Sequence, residues 1–253
     1  MSNFEFYKRI RTSDKKPQKS FPKLHNLYNK IPDTEGCMAN IEEEGGCNGW
    51  CCACQSPQLL YSEFLNLWNS VMRNWEVNEI CDVIEESLNN YIMGATTKGC
   101  VFFDHDTKMC KVHKKRPYNC RIYGITPEEE FAPRLAKMKE LYKDDPEAII
   151  EDQCHLIKTV NDKKLTVKDT DDWWNELVKI EIDAGLDKDI INDDMGGSYR
   201  TPHDHVLLYS MPDFIMQKLQ EVRFIDNYDE KKAIVKKYMD AVRRSMENEP
   251  GES

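Results

Sequence analysis

Cysteine thiols are the side chains of this chain with the clearest capacity for chemistry. Two groups stand out among its ten cysteines: a dense run at residues 47–54, CNGWCCAC, and three thiols with nine residues between each pair. Thiolates bind zinc and iron–sulfur clusters, and close spacing lets one loop supply several ligands while a distant segment supplies the rest. The spacing therefore predicts a thiolate metal site. Its candidate ligands are Cys47, Cys51, Cys52, Cys54, Cys100, Cys110, Cys120 and Cys154.

The number of candidate thiols exceeds the four that one zinc ion or one cubane cluster requires. We therefore expect one or two iron–sulfur clusters of the [4Fe–4S] type, with zinc as the alternative. The neighbouring side chains of Cys51 and Cys52 are expected to diverge, so that they serve two metals or only one of them is a ligand. Cys37 is a weaker candidate ligand. Cys81 lies on the apolar face of a predicted helix, which favours a packed core thiol.

The segment that contains the three spaced thiols is basic. From Lys98 to Arg121 it has seven Lys or Arg and two acids, in a chain whose net charge is −10. Cations near a thiolate site stabilise it and raise the reduction potential of a cluster. A basic patch with aromatic residues can also bind nucleic acid. Because these aromatic residues are expected in a small core, we expect a protein partner and not nucleic acid.

The end of this segment carries a family resemblance. Residues 110–123, CKVHKKRPYNCRIY, resemble the closing motif of the YkgJ-type, or CxxCxxCC, cysteine-cluster family, in which Arg-Pro precedes Cys-Arg by two residues. Residues 99–103, GCVFF, resemble its lead-in, and the likeness covers roughly residues 45–125. The opening run differs from CxxCxxCC, and His113 stands where the family usually has an aromatic residue. The resemblance implies a zinc- or iron-chelating domain, often labelled iron–sulfur, without implying one reaction.

Apolar periodicity indicates a mainly α chain: a helical domain around a small irregular cysteine-rich metal-binding module with short β segments. We expect a basic N-terminal arm (1–36), a cysteine-cluster module with two inserted helices (37–125) and a helical region packed on it (126–253). Short strands and turns are expected over residues 98–125. One predicted helix begins at Ser56-Pro57 and another at Met211. Further helices are predicted over 77–93, 126–142, 145–154, 170–185 and 229–247.

Two histidines, His203 and His205, lie in a segment that is predicted to be irregular, and they are weaker candidate ligands. In an extended chain their side chains would point to one face, which suits a metal. His113 is a further weak candidate, because it lies between two of the spaced thiols. His105, between two aspartates, is expected in a turn.

The remaining sequence narrows the function by what it lacks. It has no nucleotide-binding glycine motif, no HExxH and no nucleophile elbow. It also has no apolar run long enough for a membrane span, and its first residues lack the apolar stretch of a secretory signal, so a cytoplasmic location with reduced thiols is expected.

The leading hypothesis for function is an iron–sulfur protein that transfers electrons or assists a redox enzyme or metalloenzyme partner. One alternative is a structural zinc module on a helical interaction protein. Another is a cluster- or metal-dependent enzyme with a pocket near Gly196–His205.

Overall fold

The computed structural model describes residues 18–34, 49–54, 56–93, 99–145, 150, 159–186, 198–210, 222 and 225–248. Helices predominate in these ranges beside one two-stranded sheet, so the predicted mainly α fold with short β segments is confirmed. The division into an arm, a module and a packed helical region stays a prediction.

The helices are α1 (Phe21–Tyr28), α2 (Trp50–Cys54), α3 (Tyr61–Asn74), α4 (Val77–Met93), α5 (Tyr118–Ile122), α6 (Glu128–Leu141), α7 (Val167–Asp183), α8 (Pro202–Ser210) and α9 (Tyr228–Asn248). The antiparallel strands are β1 (Phe103–Asp104) and β2 (Met109–Cys110), and a 3-10 turn covers His113–Lys115.

The larger apolar core forms where α4 packs against α8 and α9, with α3 beside them. Phe64, Leu88 and Met239 are buried there, and burying a side chain of this size stabilises a fold by roughly 1.5–3 kcal/mol. Helix α4 has the predicted bounds. Cys81 is fully buried in this core, as its position on the apolar face of α4 predicted.

A second apolar cluster joins α1, α5 and α7. Leu24 and Leu27 of α1 contact it from one side, and Leu177 and Ile180 of α7 from the other. Tyr118 of α5 is buried in the same cluster. This packing holds the short helix α5, which carries a candidate thiol, against the body of the protein.

The predicted helix start at residue 56 is wrong, because α3 begins at Tyr61 and the residues before it are not helical. Leu59 forms an antiparallel bridge with Arg200, with N···O distances of 2.8 and 3.1 Å in the two directions. The carboxylate of Glu181 then accepts the backbone N–H of Tyr61 at 2.8 Å. Two segments far away in sequence therefore determine where this helix begins, and they override the local preference of Ser-Pro for a helix start.

The start of α7 also differs from the prediction, which placed the cap at Thr170. The hydroxyl of Thr166 accepts the N–H of Asp169, and the Asp169 carboxylate accepts the N–H of Thr166 at 2.9 Å. This reciprocal capping begins the helix at Val167. Thr170 is buried inside the helix. The predicted stop at Gly185 is confirmed, because the helix ends at Asp183 and Gly185 has a φ of +99°.

Several predicted features lie outside the described residues: the first part of the basic arm (1–17), most of the helix over 145–154, and the start of the helix at 211. In the part of the chain that the structure describes, none of the helices has the length and apolar character needed to cross a membrane.

Candidate metal centre

The opening cysteines are placed by the short helix α2 and the glycine that precedes it. Gly49 has a φ of +69°, and its carbonyl accepts the N–H groups of Cys52 and Ala53, both at 2.9 Å. A Cβ at this position would lie 2.3 Å from Cε2 of Phe103. Glycine is therefore required both for the turn and for the close packing of α2 on the segment with the spaced cysteines.

The two cysteine groups meet through their backbones. The N–H of Cys100 donates to the carbonyl of Cys52 at 2.6 Å. A Cβ on the neighbouring Gly99 would lie 2.1 Å from that same carbonyl oxygen. The missing side chain of Gly99 thus allows the close approach that brings the two groups of thiols together.

A hairpin positions the next thiol. Cys110 ends β2 and pairs with Phe103 of β1. Asp104 orders the connecting turn, because its carboxylate accepts the N–H groups of Asp106 at 2.9 Å and Thr107 at 3.2 Å. Hydrogen bonds from both N–H groups, that of Thr107 first, lower the pKa of the Asp104 carboxyl. The hairpin therefore carries Cys110 back toward α2.

Helix α5 carries Cys120 and is anchored by a buried carboxylate. Glu63 of α3 accepts the N–H of Tyr118 at 2.7 Å and the hydroxyl of Tyr28 at 2.7 Å. Burial raises the pKa of Glu63 and that of Tyr28. The hydroxyl of Tyr118 in turn donates to the carbonyl of Thr170 at 2.8 Å. This network connects α5 to three other helices.

Four of the candidate thiols, those of Cys51, Cys52, Cys110 and Cys120, line one cavity of about 610 Å³. The Sγ atoms of Cys51 and Cys52 are 3.9 Å apart, so the expected divergence of these neighbouring side chains is wrong. The thiol of Cys110 is close enough to that of Cys52 to raise its pKa. Cys100 is buried, and its backbone hydrogen bond to Cys52 holds it next to α2.

The environment of these thiols opposes an uncompensated negative charge. Hydrogen bonds with Cys110 and Cys51 raise the pKa of Cys52, and burial raises the pKa of Cys100 and of Cys120. Metal binding requires thiolates, and a bound cation supplies the charge that stabilises them in such a place. A group of soft sulfur donors with this character fits zinc or iron and does not fit magnesium or calcium.

The described side chains do not by themselves complete a site for a single ion. Among them, no group of three or more His, Cys, Asp or Glu is arranged so that it could hold a metal. Cys37, Cys47 and Cys154 lie outside the described residues, as does the side chain of Cys54. The contribution of these four cysteines stays a prediction.

Cationic and polar side chains share the cavity with the thiols. Arg116, which is only 7% exposed, lines it together with His113. Asn119 also lines it and donates to the hydroxyl of Tyr199, another lining residue. Tyr199 was not a candidate residue in the sequence, because no spacing pattern connects it to the cavity cysteines, which lie 79 to 148 residues before it.

His203 and His205 are buried in α8 and bind backbone carbonyls. Nε2 of His203 donates to the carbonyl of Gly99 at 3.0 Å, and Nε2 of His205 donates to that of Leu59 at 2.9 Å. Burial lowers the pKa of His205 to about 3, so this imidazole is neutral at physiological pH. Neither ring lines the cavity. Both histidines position the backbone near the thiols. The prediction that their segment is irregular is wrong, because both lie in helix α8.

The described residues thus define a class of protein: mainly helical, with four cysteine thiols from three segments around one cavity. Comparison with family models identifies residues 42–155 as a match to the CxxCxxCC family, described as "Putative zinc- or iron-chelating domain". This match confirms the resemblance seen in the sequence and supports metal binding by this part of the chain. Comparisons with curated proteins and with solved structures gave no significant match.

Proposed function

We propose that the CxxCxxCC domain of this chain holds an iron–sulfur centre of one or two clusters, of the [4Fe–4S] type. The observation that supports this most is the cavity of about 610 Å³ that four thiols line. A zinc ion binds its sulfurs at about 2.3 Å and needs little room, whereas a cluster requires four thiolates and the volume of its own inorganic core. The eight candidate cysteines of the sequence also match the needs of two clusters.

The surroundings of the cavity suit electron transfer to a protein partner. Cys51 and Cys110 are half-buried, so a cluster on these thiols would lie near the surface. Buried Arg116 adds a positive charge to the wall. A nearby cation favours the reduced, more negative state of a cluster, and so raises its reduction potential. The partner that we propose is a redox enzyme or metalloenzyme.

One observation favours structural zinc as a second candidate. The Sγ atoms of Cys51 and Cys52 are 3.9 Å apart. Two sulfurs of one tetrahedral zinc ion, each bonded at about 2.3 Å, are about 3.8 Å apart. This candidate predicts a colourless protein that unfolds when the metal is chelated.

A different observation favours a metal- or cluster-dependent enzyme as a third candidate. Tyr199 and Thr201 line the same cavity as the thiols, although they follow the cysteine module in the chain. The cavity volume of about 610 Å³ lies within the range of small-molecule sites. An enzyme of this kind requires an open coordination position at the metal centre, with a substrate held near Tyr199.

Metal and sulfide analysis of protein that is purified without oxygen separates these candidates. Iron with acid-labile sulfide, and a broad visible absorption that bleaches with dithionite, is the expected result. Cys110→Ala and Cys120→Ala should each lose iron and sulfide, whereas the control Cys81→Ala, a core thiol outside the cavity, should keep both. Stoichiometric zinc in a colourless protein would support the second candidate. Unchanged iron in both cavity variants would refute the ligand assignment.

A further inference from the structure

A second cavity, of about 300 Å³, has a cationic lining, and none of the thiols that the structure describes lines it. Three of its lining residues carry a positive charge at neutral pH, and none of those described is a carboxylate. Such a lining is unusual in a chain whose net charge is −10. The lining residues are His25, Tyr28, Asn29, Asn66, Lys114, Lys115 and Arg121.

The guanidinium of Arg121 is held in place before any ligand binds. Its Nε donates to the carbonyl of Arg116 at 2.8 Å, and Nη2 donates to that of Lys114 at 3.4 Å. The guanidinium carbon lies 4.3 Å from the centre of the Tyr28 ring. Two of the five N–H donors of this side chain are used, and the other three have no acceptor among the described residues. A fixed guanidinium loses little conformational entropy on binding.

Carboxylates near this cavity do not cancel its charge. Glu63 and Asp33 act electrostatically on Arg121, but neither of them lines the cavity. Glu63 is buried behind Tyr28, whose hydroxyl donates to it at 2.7 Å. The charged side chains within the wall itself are therefore all cations, and this arrangement favours an anion.

We propose that this cavity binds a phosphate group, either as free phosphate or as the terminal group of a small phosphomonoester. A planar guanidinium matches two phosphate oxygens at once, and two ammonium groups add charge-assisted hydrogen bonds. Asn66 and His25, whose Oδ1 and Nε2 atoms are 3.2 Å apart, provide further polar contacts. The cavity volume of about 300 Å³ suits a ligand of this size.

Isothermal titration calorimetry on the full chain tests this proposal with inorganic phosphate and with glycerol 3-phosphate, at constant ionic strength set by chloride. We expect saturable binding with a dissociation constant of about 1 mM or tighter. If glycerol 3-phosphate binds more tightly than inorganic phosphate, the ligand is a phosphomonoester. If it binds equally or more weakly, the ligand is free phosphate.

Lysine variants decide whether the binding occurs in this cavity. Lys115→Ala should weaken phosphate binding by at least about fivefold, because it removes a charge-assisted hydrogen bond, and Lys114→Ala should act in the same direction. The matched control is Lys111→Ala, which removes the same charge. Lys111 is exposed and does not line the cavity. It should change the affinity by less than about twofold, because exposed charges are screened by salt.

Two results would overturn the proposal. One is the absence of saturable heat with either phosphate probe. The other is an equal loss of affinity in Lys111→Ala and Lys115→Ala, which would indicate only a general effect of charge. Circular dichroism and metal content, measured on every variant, should match those of the unmodified chain. Because none of the described thiols lines this cavity, the proposal can fail while the metal centre stands, and the reverse also holds.

Discussion

Gly99 is the position where a single added carbon should separate the two cysteine groups. In Gly99→Ala the new Cβ would lie 2.1 Å from the carbonyl oxygen of Cys52, and 2.6 Å and 2.8 Å from the O and C atoms of Ala53. Ordinary carbon contacts begin at 3.4 Å, so the two segments must separate by more than 1 Å. The atoms in the way belong to the backbone, and no rotamer change can therefore relieve the clash.

The cost of this substitution has two parts. Overpacking of a tight site typically costs about 1–3 kcal/mol. The hydrogen bond from the Cys100 N–H to the Cys52 carbonyl, 2.6 Å long, would also be stretched or lost, and a buried polar group without a partner costs about 1–3 kcal/mol. We expect the free energy of unfolding to fall by about 2–5 kcal/mol. Metal content should fall as well, because α2 moves its thiols away from those of Cys110 and Cys120.

Metal per folded chain, measured by mass spectrometry, and urea unfolding check this prediction. Gly185→Ala is the matched control, because Gly185 has a φ of +99° and lies in another part of the fold. An alanine there should cost roughly 1 kcal/mol or more through backbone strain but keep the metal. Full metal content and unchanged stability in Gly99→Ala would refute the close approach of the two segments. Equal metal loss in both variants would assign the effect to general instability.

Three further substitutions test contacts around the site. Burial raises the pKa of Glu181 from its ordinary 4.5 to about 7, so the folded state holds a proton more tightly and stability falls as pH rises between these values. Glu181→Gln has no carboxyl group to titrate, so its loss of stability with rising pH should be smaller by up to about 3 kcal/mol. Urea unfolding at pH 5 and pH 8 measures this loss, and an equal loss in the variant and in the unmodified chain would contradict the prediction. His203→Phe leaves the Gly99 carbonyl without its buried hydrogen-bond donor and should lower the free energy of unfolding by about 1–3 kcal/mol. Thermal unfolding measures this, and an unaltered midpoint would show that the hydrogen bond contributes nothing to stability. Thr166→Ala removes the cap of α7 and should lower the free energy of unfolding, measured in urea, by about 1 kcal/mol. Its metal content should stay the same, and a loss of metal would contradict this prediction.

Helices whose apolar faces repeat regularly could be predicted from the sequence. The bounds of α4 agree with the prediction, and those of α9 differ from it by one residue at each end. Their periodicity is a local property, because residues three and four apart share one face of a helix. The start of α3 could not be predicted in this way. Its position depends on the bridge between Leu59 and Arg200 and on Glu181, which is 120 residues from Tyr61.

The sequence by itself determined the class of chemistry, because the thiol side chain and its spacing limit the suitable metals to soft ones. It also carried the likeness to the CxxCxxCC family, whose model matches residues 42–155.

Only the tertiary structure decided which thiols share a cavity and what the buried polar groups do. It brought Cys51 and Cys52 together with Cys110 and Cys120, and it turned His203 and His205 from candidate ligands into supports for the backbone. The physical reason is that convergence and burial arise from contacts between segments far apart in the chain. Such contacts leave no periodic trace in the sequence, whereas side-chain chemistry and helical periodicity can be seen in it directly.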